Sequence, residues 1–236
     1  MVLEVCAETA EAAELAWRSG ADRIELCSAL QVGGVTPSLG LVSSTLELID
    51  CPLIVLVRPR AGNFVYTSLE NRASLRDIER LMQIPSAGFA VGGLTTEGTL
   101  DVPFLQQIVQ IASGRELVVH RAFDLVADKL EAVEQLVEIG FHRILTSGGP
   151  VKAIDGVAQL RTLVQIAAGR IKILAAGGIS LENFQQVLDR SQCRHIHGSF
   201  GLRQPGSTVS SWGTCSVPDT NQITQIAQRM SVSRLS

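Results

Sequence analysis

The chain has 236 residues, of which 46% are hydrophobic and 18% charged, and its formal net charge is -3. This balance excludes a broad basic surface for nucleic acid or anionic lipid, and no apolar run approaches the roughly 20 residues of a transmembrane helix. The N-terminus lacks the basic and apolar regions of a signal peptide. We therefore expect a cytoplasmic protein that binds neither nucleic acid nor a membrane.

Short apolar segments alternate with longer amphipathic segments along the chain, which is typical of strands followed by helices. The predicted strands cover residues 3–6, 23–27, 53–58, 88–91, 117–120, 143–146, 172–175 and 195–197. Eight strands separated by helix-length segments indicate parallel pairing with crossover helices. The sequence therefore predicts an α/β protein, a single-domain (β/α)8 TIM barrel over residues 1–236, which lies within the usual size range of this fold.

Capping residues mark several of the predicted helices. Thr9 is expected to begin the first helix, because its hydroxyl can accept a backbone N–H, and Gly20 is expected to end it. Other helix starts are expected at Asp101, Asp128, Asp155 and Ser180, and other ends at Gly140 and Gly169.

Residues 198–217 interrupt the alternation with a stretch rich in Gly and Ser. A loop of this length inside a compact domain is usually functional or mobile. Because it follows the eighth predicted strand, we expect it either to cover the barrel mouth as a lid or to form a surface excursion. A last helix is expected around residues 219–230.

The strand ends carry polar side chains where a barrel core is usually apolar. A TIM barrel places its site at the carboxyl ends of its strands, and successive side chains alternate between the interior and the helix layer. This alternation directs Glu4, Arg23 and Glu25 inward. Buried charges are stable only when paired, so Glu4 and Arg23 are expected to form a structural ion pair in the barrel floor.

The mouth of the predicted barrel collects groups suited to chemistry on an anion. The candidate catalytic residues are Glu25, His120 and Asp124, which can transfer protons. Arg58 and Arg60 flank the rigid Pro59 and suit the capture of carboxylate or phosphate. Glycine-rich turns at 146–149, 176–178 and 197–199 would add backbone N–H donors. The candidate substrate-binding residues are therefore Glu8, Arg58, Arg60, Ser147 and His197.

The five cysteines are Cys6, Cys27, Cys51, Cys193 and Cys215, and no CxxC motif is present. Such a sparse, odd set does not indicate a disulfide framework. Cys6 and Cys27 are predicted to point inward from neighbouring strands, which lie about 4.8 Å apart. Two thiolates at this spacing could hold a soft ion such as Cu(I), which makes Cys6 and Cys27 the candidate metal ligands. The alternative is that both are small core residues.

Five segments resemble the CutC family, in the same order and over residues 3–199. They are ADRIELCSALQVGGVTPSLG at 21–40, VRPRAGNFVYT at 57–67, HRAFD at 120–124, ILTSGG at 144–149 and HGS at 197–199. The match is weak beyond residue 201. Glu25, Arg58, Arg60, His120, Arg121 and Asp124 stand at positions of the family motifs, and Arg121 thereby joins the candidate substrate-binding residues.

The resemblance implies a cytoplasmic TIM barrel that forms a homo-oligomer and takes part in copper homeostasis. Cys6 and Cys27 stand where the family often has cysteine, so the implied cofactor is copper, bound as Cu(I). The first hypothesis is therefore a copper homeostasis protein with these two ligands. The alternative is an uncharacterised TIM-barrel enzyme that acts on a small anionic substrate by acid–base chemistry.

Overall fold

A computed structural model of the chain describes residues 1–203 and 216–235. Eight parallel strands close into a barrel in chain order, and the last pairs with the first. The strands are β1 (Val2–Ala7), β2 (Arg23–Leu26), β3 (Leu53–Leu56), β4 (Gly88–Val91), β5 (Glu116–Val119), β6 (Arg143–Thr146), β7 (Lys172–Ala176) and β8 (His195–Gly198). The predicted (β/α)8 fold is confirmed.

Helices connect the strands and surround the barrel. They are α1 (Ala10–Arg18), α2 (Leu39–Leu46), α3 (Ser68–Leu81), α4 (Val102–Ile111), α5 (Lys129–Ile139), α6 (Val157–Ala167), α7 (Phe184–Ser191) and α8 (Thr220–Leu235), with 3-10 helices at Leu30–Val32 and Arg121–Leu125. Within residues 1–203 and 216–235, the helices are all too short or too polar to cross a membrane.

The predicted helix starts at Thr9, Asp101 and Asp128 are confirmed, because each side chain accepts a backbone hydrogen bond from the first turn. The predicted starts at Asp155 and Ser180 are wrong. The N-cap of α6 is Gly156, one residue later than predicted, and the N-cap of α7 is Asn183, three residues later.

The third strand ends two residues earlier than predicted. Instead of continuing the ladder, the N–H and C=O of Arg58 pair with Thr36 in the loop after β2. This detour brings that loop against the end of β3, where the barrel mouth begins.

Two apolar clusters follow the alternation of side chains along the strands. One packs between strands and helices and includes Leu3, Val5, Ile24 and Leu26. The other fills the barrel interior and contains Cys6, Cys27, Ile54, Leu56, Ala90, Val118, Leu145, Leu174 and Ala176. The barrel interior is therefore apolar at mid-height, with polar groups at both ends.

The segment predicted as a lid or surface excursion begins and ends in strands. β9 (Gly201–Arg203) and β10 (Ser216–Pro218) pair antiparallel. Residues 204–215, which include Cys215, lie outside the described residues. The expectation of a lid therefore stays a prediction.

Candidate functional site

A cavity of about 240 Å³ opens at the carboxyl ends of the barrel strands, where the fold places active sites. Seven of the candidate residues line it: Cys6, Glu25, Cys27, Arg58, His120, Arg121 and His197. The lining does not include the other four, Glu8, Arg60, Asp124 and Ser147.

The two candidate metal ligands are in contact at the cavity wall. The Sγ atoms of Cys6 and Cys27 lie 3.6 Å apart, and both residues are buried. The hydrogen bond between the thiols and their burial raise the pKa of Cys6 well above its ordinary value. Cys6 is therefore a protonated thiol at neutral pH.

Glu25 lies beside Cys6 because the two residues are partners in the β1–β2 ladder. Its carboxyl is buried, and burial raises its pKa, with the charge of Glu4 acting in the same direction. The Oε2 atom has no hydrogen-bond partner among the described residues. Glu25 is thus a carboxyl that takes up a proton more readily than usual, with one oxygen left for a ligand.

His197 connects this wall to the barrel floor. Its Nδ1 lies 2.7 Å from Glu4 Oε1, and its Nε2 lies 3.9 Å from Glu25 Oε1. Burial disfavours the imidazolium, but the charges of Glu25 and Glu4 and the hydrogen bond to Glu4 outweigh it and raise the pKa of His197. Ligand atoms of Cys6, Glu25 and His197 all lie within 4.8 Å of one another, close enough to share a metal ion.

Below the cavity lies a set of ion pairs that we call the floor network: Glu4, Arg23, Glu116, Arg143 and His195. Arg23 Nε lies 2.5 Å from Glu4 Oε2, and Arg23 Nη1 lies 3.1 Å from Glu116 Oε1. Arg143 binds Glu116 and contacts His195. Burial opposes ionisation of Glu4, but His197 and Arg23 together lower its pKa to about 2. The structure therefore places Glu4 and Arg23 in a paired floor, as the sequence predicts.

His120 lies on the opposite wall, next to the ring of Phe64 at a centroid distance of 5.0 Å. Its Nδ1 accepts a hydrogen bond from the Ala122 N–H, which leaves the proton on Nε2. Nε2 has no partner among the described residues. Burial and the charge of Arg58 lower the pKa of His120 to about 3, so this imidazole is a neutral hydrogen-bond donor at physiological pH.

Arg58 lines the cavity, but most of its hydrogen-bonding capacity is used by the backbone. Its Nη1 donates to the carbonyls of Val32 and Gly34, and its Nη2 donates to that of Gly62 at 2.7 Å. The guanidinium also lies 4.9 Å from the centre of the Phe64 ring. Arg58 therefore connects two loops and contributes positive charge to the cavity. Of its three nitrogens, Nε is the one without a hydrogen-bond partner among the described residues.

Arg60 lies outside the cavity lining and is paired there. Its Nε lies 2.5 Å from Glu70 Oε1, and Tyr66 packs under the guanidinium at 5.2 Å. Glu70 is itself the acidic member of the capping box that begins α3 at Thr67. The predicted joint capture of one anion by Arg58 and Arg60 therefore has no geometric support.

The candidates Asp124 and Ser147 form the frame that holds Arg121. Asp124 Oδ2 lies 2.7 Å from Arg121 Nε, and Asp124 Oδ1 accepts hydrogen bonds from the Thr146 hydroxyl and the Ser147 N–H. The Ser147 hydroxyl contacts Arg121 Nη2 at 3.1 Å. Asp124 is thus fully engaged and positions Arg121 at the cavity.

Glu8 has a similar bridging role on the other side. Its Oε1 accepts the Leu30 N–H at 2.8 Å, and its Oε2 accepts the Ser216 N–H at 3.3 Å. Glu8 therefore joins β1 to the loop after β2 and to β10.

The sequence model of the CutC family matches residues 1–202 of this chain. The chain belongs to the CutC family. A CutC family protein of Glaesserella parasuis serovar 5 is 39% identical over 205 residues, which cover 86% of this chain and 84% of the relative. The Caenorhabditis elegans protein named copper homeostasis protein cutC homolog is 39% identical over 209 residues, covering 88% of this chain and 84% of that protein.

A solved structure agrees with this assignment to the CutC family. The crystal structure of a protein described as copper homeostasis protein CutC, from Streptococcus agalactiae, superposes with a TM-score of 0.79 at 33% identity. The alignment covers 84% of this chain and 99% of that one.

Sequence reasoning gave no role to Phe64, although it lies within a segment that resembles CutC. Phe64 lines the cavity and contacts both His120 and Arg58. An aromatic residue shortly after paired arginines is a signal for a cation–π contact, and it could have indicated this packing.

Proposed function

We propose that this CutC family protein takes part in copper homeostasis by binding one Cu(I) ion through Cys6 and Cys27. The separation of the two Sγ atoms carries the proposal. At 3.6 Å it is less than twice the metal–thiolate bond length of about 2.3 Å, so one ion can contact both sulfurs. Thiolates are soft ligands that select Cu(I).

The surroundings of the pair supply the other groups that such an ion needs. Glu25 and His197 each have a ligand atom within 4.8 Å of the Cys6 sulfur. The hydrogen bond from His197 to Glu4 holds the ring with Nε2 on the Glu25 side, as a carboxylate orients a metal-binding histidine. His197 can act as a third ligand, and Glu25 can accept a proton that a thiol releases.

Competition with a Cu(I)-specific chelator tests the proposal on anaerobic, reduced protein. We expect one Cu(I) per chain in the parent. Loss of a residue that only hydrogen-bonds a metal ligand typically costs about 10- to 100-fold in metal affinity. The Cys6→Ser, Cys27→Ser variant, which loses the ligands themselves, should lose more than that. A Cys51→Ser, Cys193→Ser variant is the matched control and should bind as the parent does. Equal affinity in the Cys6, Cys27 variant would overturn the proposal.

A second candidate function, acid–base chemistry on a small anionic substrate, is favoured by two unpartnered atoms. Glu25 Oε2 and His120 Nε2 are buried without a hydrogen-bond partner among the described residues, and both residues line the same cavity. Their pKa values are shifted in opposite directions, because that of Glu25 is raised and that of His120 is lowered. Two titratable groups separated in this way suit a proton-transferring Glu25 and a neutral His120 that donates to a developing negative charge.

A screen of phosphorylated and carboxylated metabolites on metal-free protein tests this second function. A ligand of the folded state raises the thermal midpoint, and each hit is then followed by NMR for conversion. Glu25→Gln should abolish conversion while the thermal shift persists. The absence of any stabilising metabolite, or undiminished conversion by Glu25→Gln, would contradict it.

A further inference from the structure

We propose that Arg121 and the turn after β7 form a binding site for the phosphate group of a phosphomonoester. The inference extends the second candidate function by naming its substrate class, and phosphate binding itself does not depend on a reaction. It locates the anion on the wall formed by the ends of β5 and β7, away from the Cys6–Cys27 pair.

Arg121 presents one free edge to the cavity. Its Nε is bound to Asp124, and its Nη2 contacts the Ser147 hydroxyl and the carbonyls of Pro150 and Val151. Among the described residues no hydrogen bond engages Nη1. Because a guanidinium has five N–H donors in fixed directions, the bound edge holds the group rigid while Nη1 remains available.

The free edge of Arg121 lies against Gly177. A Cβ placed on Gly177 would lie 3.3 Å from Arg121 Nη1 and 2.7 Å from the Val151 carbonyl, so only glycine allows this approach. Gly177 and Gly178 both have positive φ, +100° and +64°, and both line the cavity. Two consecutive glycines thus form a bare backbone surface directly beside a cation.

The backbone of this turn has both carbonyls bound and the Gly178 N–H available. The Gly177 carbonyl accepts from the Ala153 N–H at 2.9 Å, and the Gly178 carbonyl accepts from Asn183 Nδ2 at 2.7 Å. The Gly177 N–H faces the His197 carbonyl at the end of the β7–β8 ladder. Within the described part of the chain, no hydrogen bond uses the N–H of Gly178. Since C=O and N–H point in opposite directions across a trans peptide, the Gly178 N–H points away from Ala153.

The positive charge beside the turn after β7 suits a phosphate more than a carboxylate. Asp124 neutralises part of the Arg121 charge. Lys152 does not line the cavity, but it lies against the same turn and adds a second cation there. A Cβ on Gly178 would lie 3.2 Å from Lys152 Cγ, so the lysine stem packs on the turn while the residue stays exposed. Barrels of this fold often bind phosphate on the turns after strands seven and eight, and Ser199 after β8 also lines the cavity.

Calorimetric titration of metal-free protein with inorganic phosphate, with acetate as the monoanion comparison, tests the site. We expect saturable phosphate binding by the parent and weaker binding of acetate. Arg121→Gln should abolish it, Lys152→Gln should weaken it about fivefold, and Arg161→Gln, an exposed charge on α6, should leave it unchanged.

Arg121→Gln removes bonds to Asp124 and two loop carbonyls, so its folding is checked by its thermal midpoint. If it does not fold, Lys152→Glu decides instead, because it reverses a charge without removing any hydrogen bond recorded for the described residues. Phosphate binding unchanged in Lys152→Glu, or absent from the parent, overturns the proposal. Phosphate binding that persists while no metabolite is converted would contradict the second candidate function and leave this site standing.

Discussion

The imidazole of His197 is hydrogen-bonded to the carboxylate of Glu4, with Nδ1 2.7 Å from Oε1. The two residues are partners in the β1–β8 ladder, so the closed barrel itself brings them together. Because Glu4 also pairs with Arg23, the floor network fixes the orientation of a group that lines the cavity. Structural ion pairs and the candidate site are therefore physically coupled.

Glu4→Gln should destabilise the protein by about 3–5 kcal/mol, since it leaves the buried Arg23 without one of its partners. Urea unfolding at neutral pH measures the change. Glu14→Gln, which breaks an exposed i,i+4 pair with Arg18, should cost no more than about 0.5 kcal/mol. A loss of comparable size in the two variants would show that the floor network is not a stabilising element.

His120 should remain neutral in the folded protein far below the usual histidine range, because its pKa lies at about 3. In the unfolded chain this histidine takes up a proton near pH 6.5, at its ordinary pKa of about 6.5. The contribution of neutral His120 to the free energy of unfolding is therefore complete above that pH and is lost as pH falls towards about 3. Between about pH 6.5 and 5 the parent should lose about 1–2 kcal/mol more than His120→Asn. Urea unfolding across that range measures it, and a His120 NMR resonance that titrates near its ordinary pKa would contradict the prediction.

Arg58→Lys should destabilise the protein by about 2 kcal/mol, because an ammonium group cannot reproduce bonds to three carbonyls on two loops. Arg60→Lys, at the half-exposed pair with Glu70, should cost less than about 1 kcal/mol. Denaturant unfolding of both variants compares them directly. If the two costs are equal, the assignment of Arg58 as the residue that ties the loops is wrong.

The affinity for Cu(I) should rise steeply with pH. Metal binding requires the thiolate, and the pKa of Cys6 is raised, so each bound ion displaces protons. Release of one proton from Cys6 would strengthen binding by about 10-fold per pH unit. Chelator competition at about pH 6 and about pH 8 measures the slope, and an affinity independent of pH would argue against thiolate ligation.

The alternation of strand and helix was sufficient to predict the barrel and the side each strand residue faces. Glu25, Cys6 and Cys27 point inward because every second residue of a parallel barrel strand must do so. The two-residue alternation of side chains also predicts that Ile24 and Leu26 face the helices, and both belong to the apolar cluster between strands and helices. These positions depend only on local geometry, which a sequence carries.

The hydrogen-bond partners of loop residues could not be predicted in the same way. Arg58 and Arg60 stand two positions apart in one motif, yet one lines the cavity and the other pairs with Glu70 on α3. The contact between Arg121 and Gly177 joins the ends of strands separated by a long stretch of chain. Such contacts depend on how the loops pack at the barrel mouth. Neither the alternation of side chains along a strand nor the spacing of residues in a motif predicts that packing.

X-ray absorption at the copper edge tests the central claim most directly. In a Cys51→Ser, Cys193→Ser, Cys215→Ser variant the two remaining cysteines of the five are Cys6 and Cys27. Loaded with one equivalent of Cu(I), this protein should show two sulfur neighbours at about 2.3 Å from the metal. A spectrum that contains only nitrogen and oxygen neighbours, or a protein that retains no copper, would contradict the account.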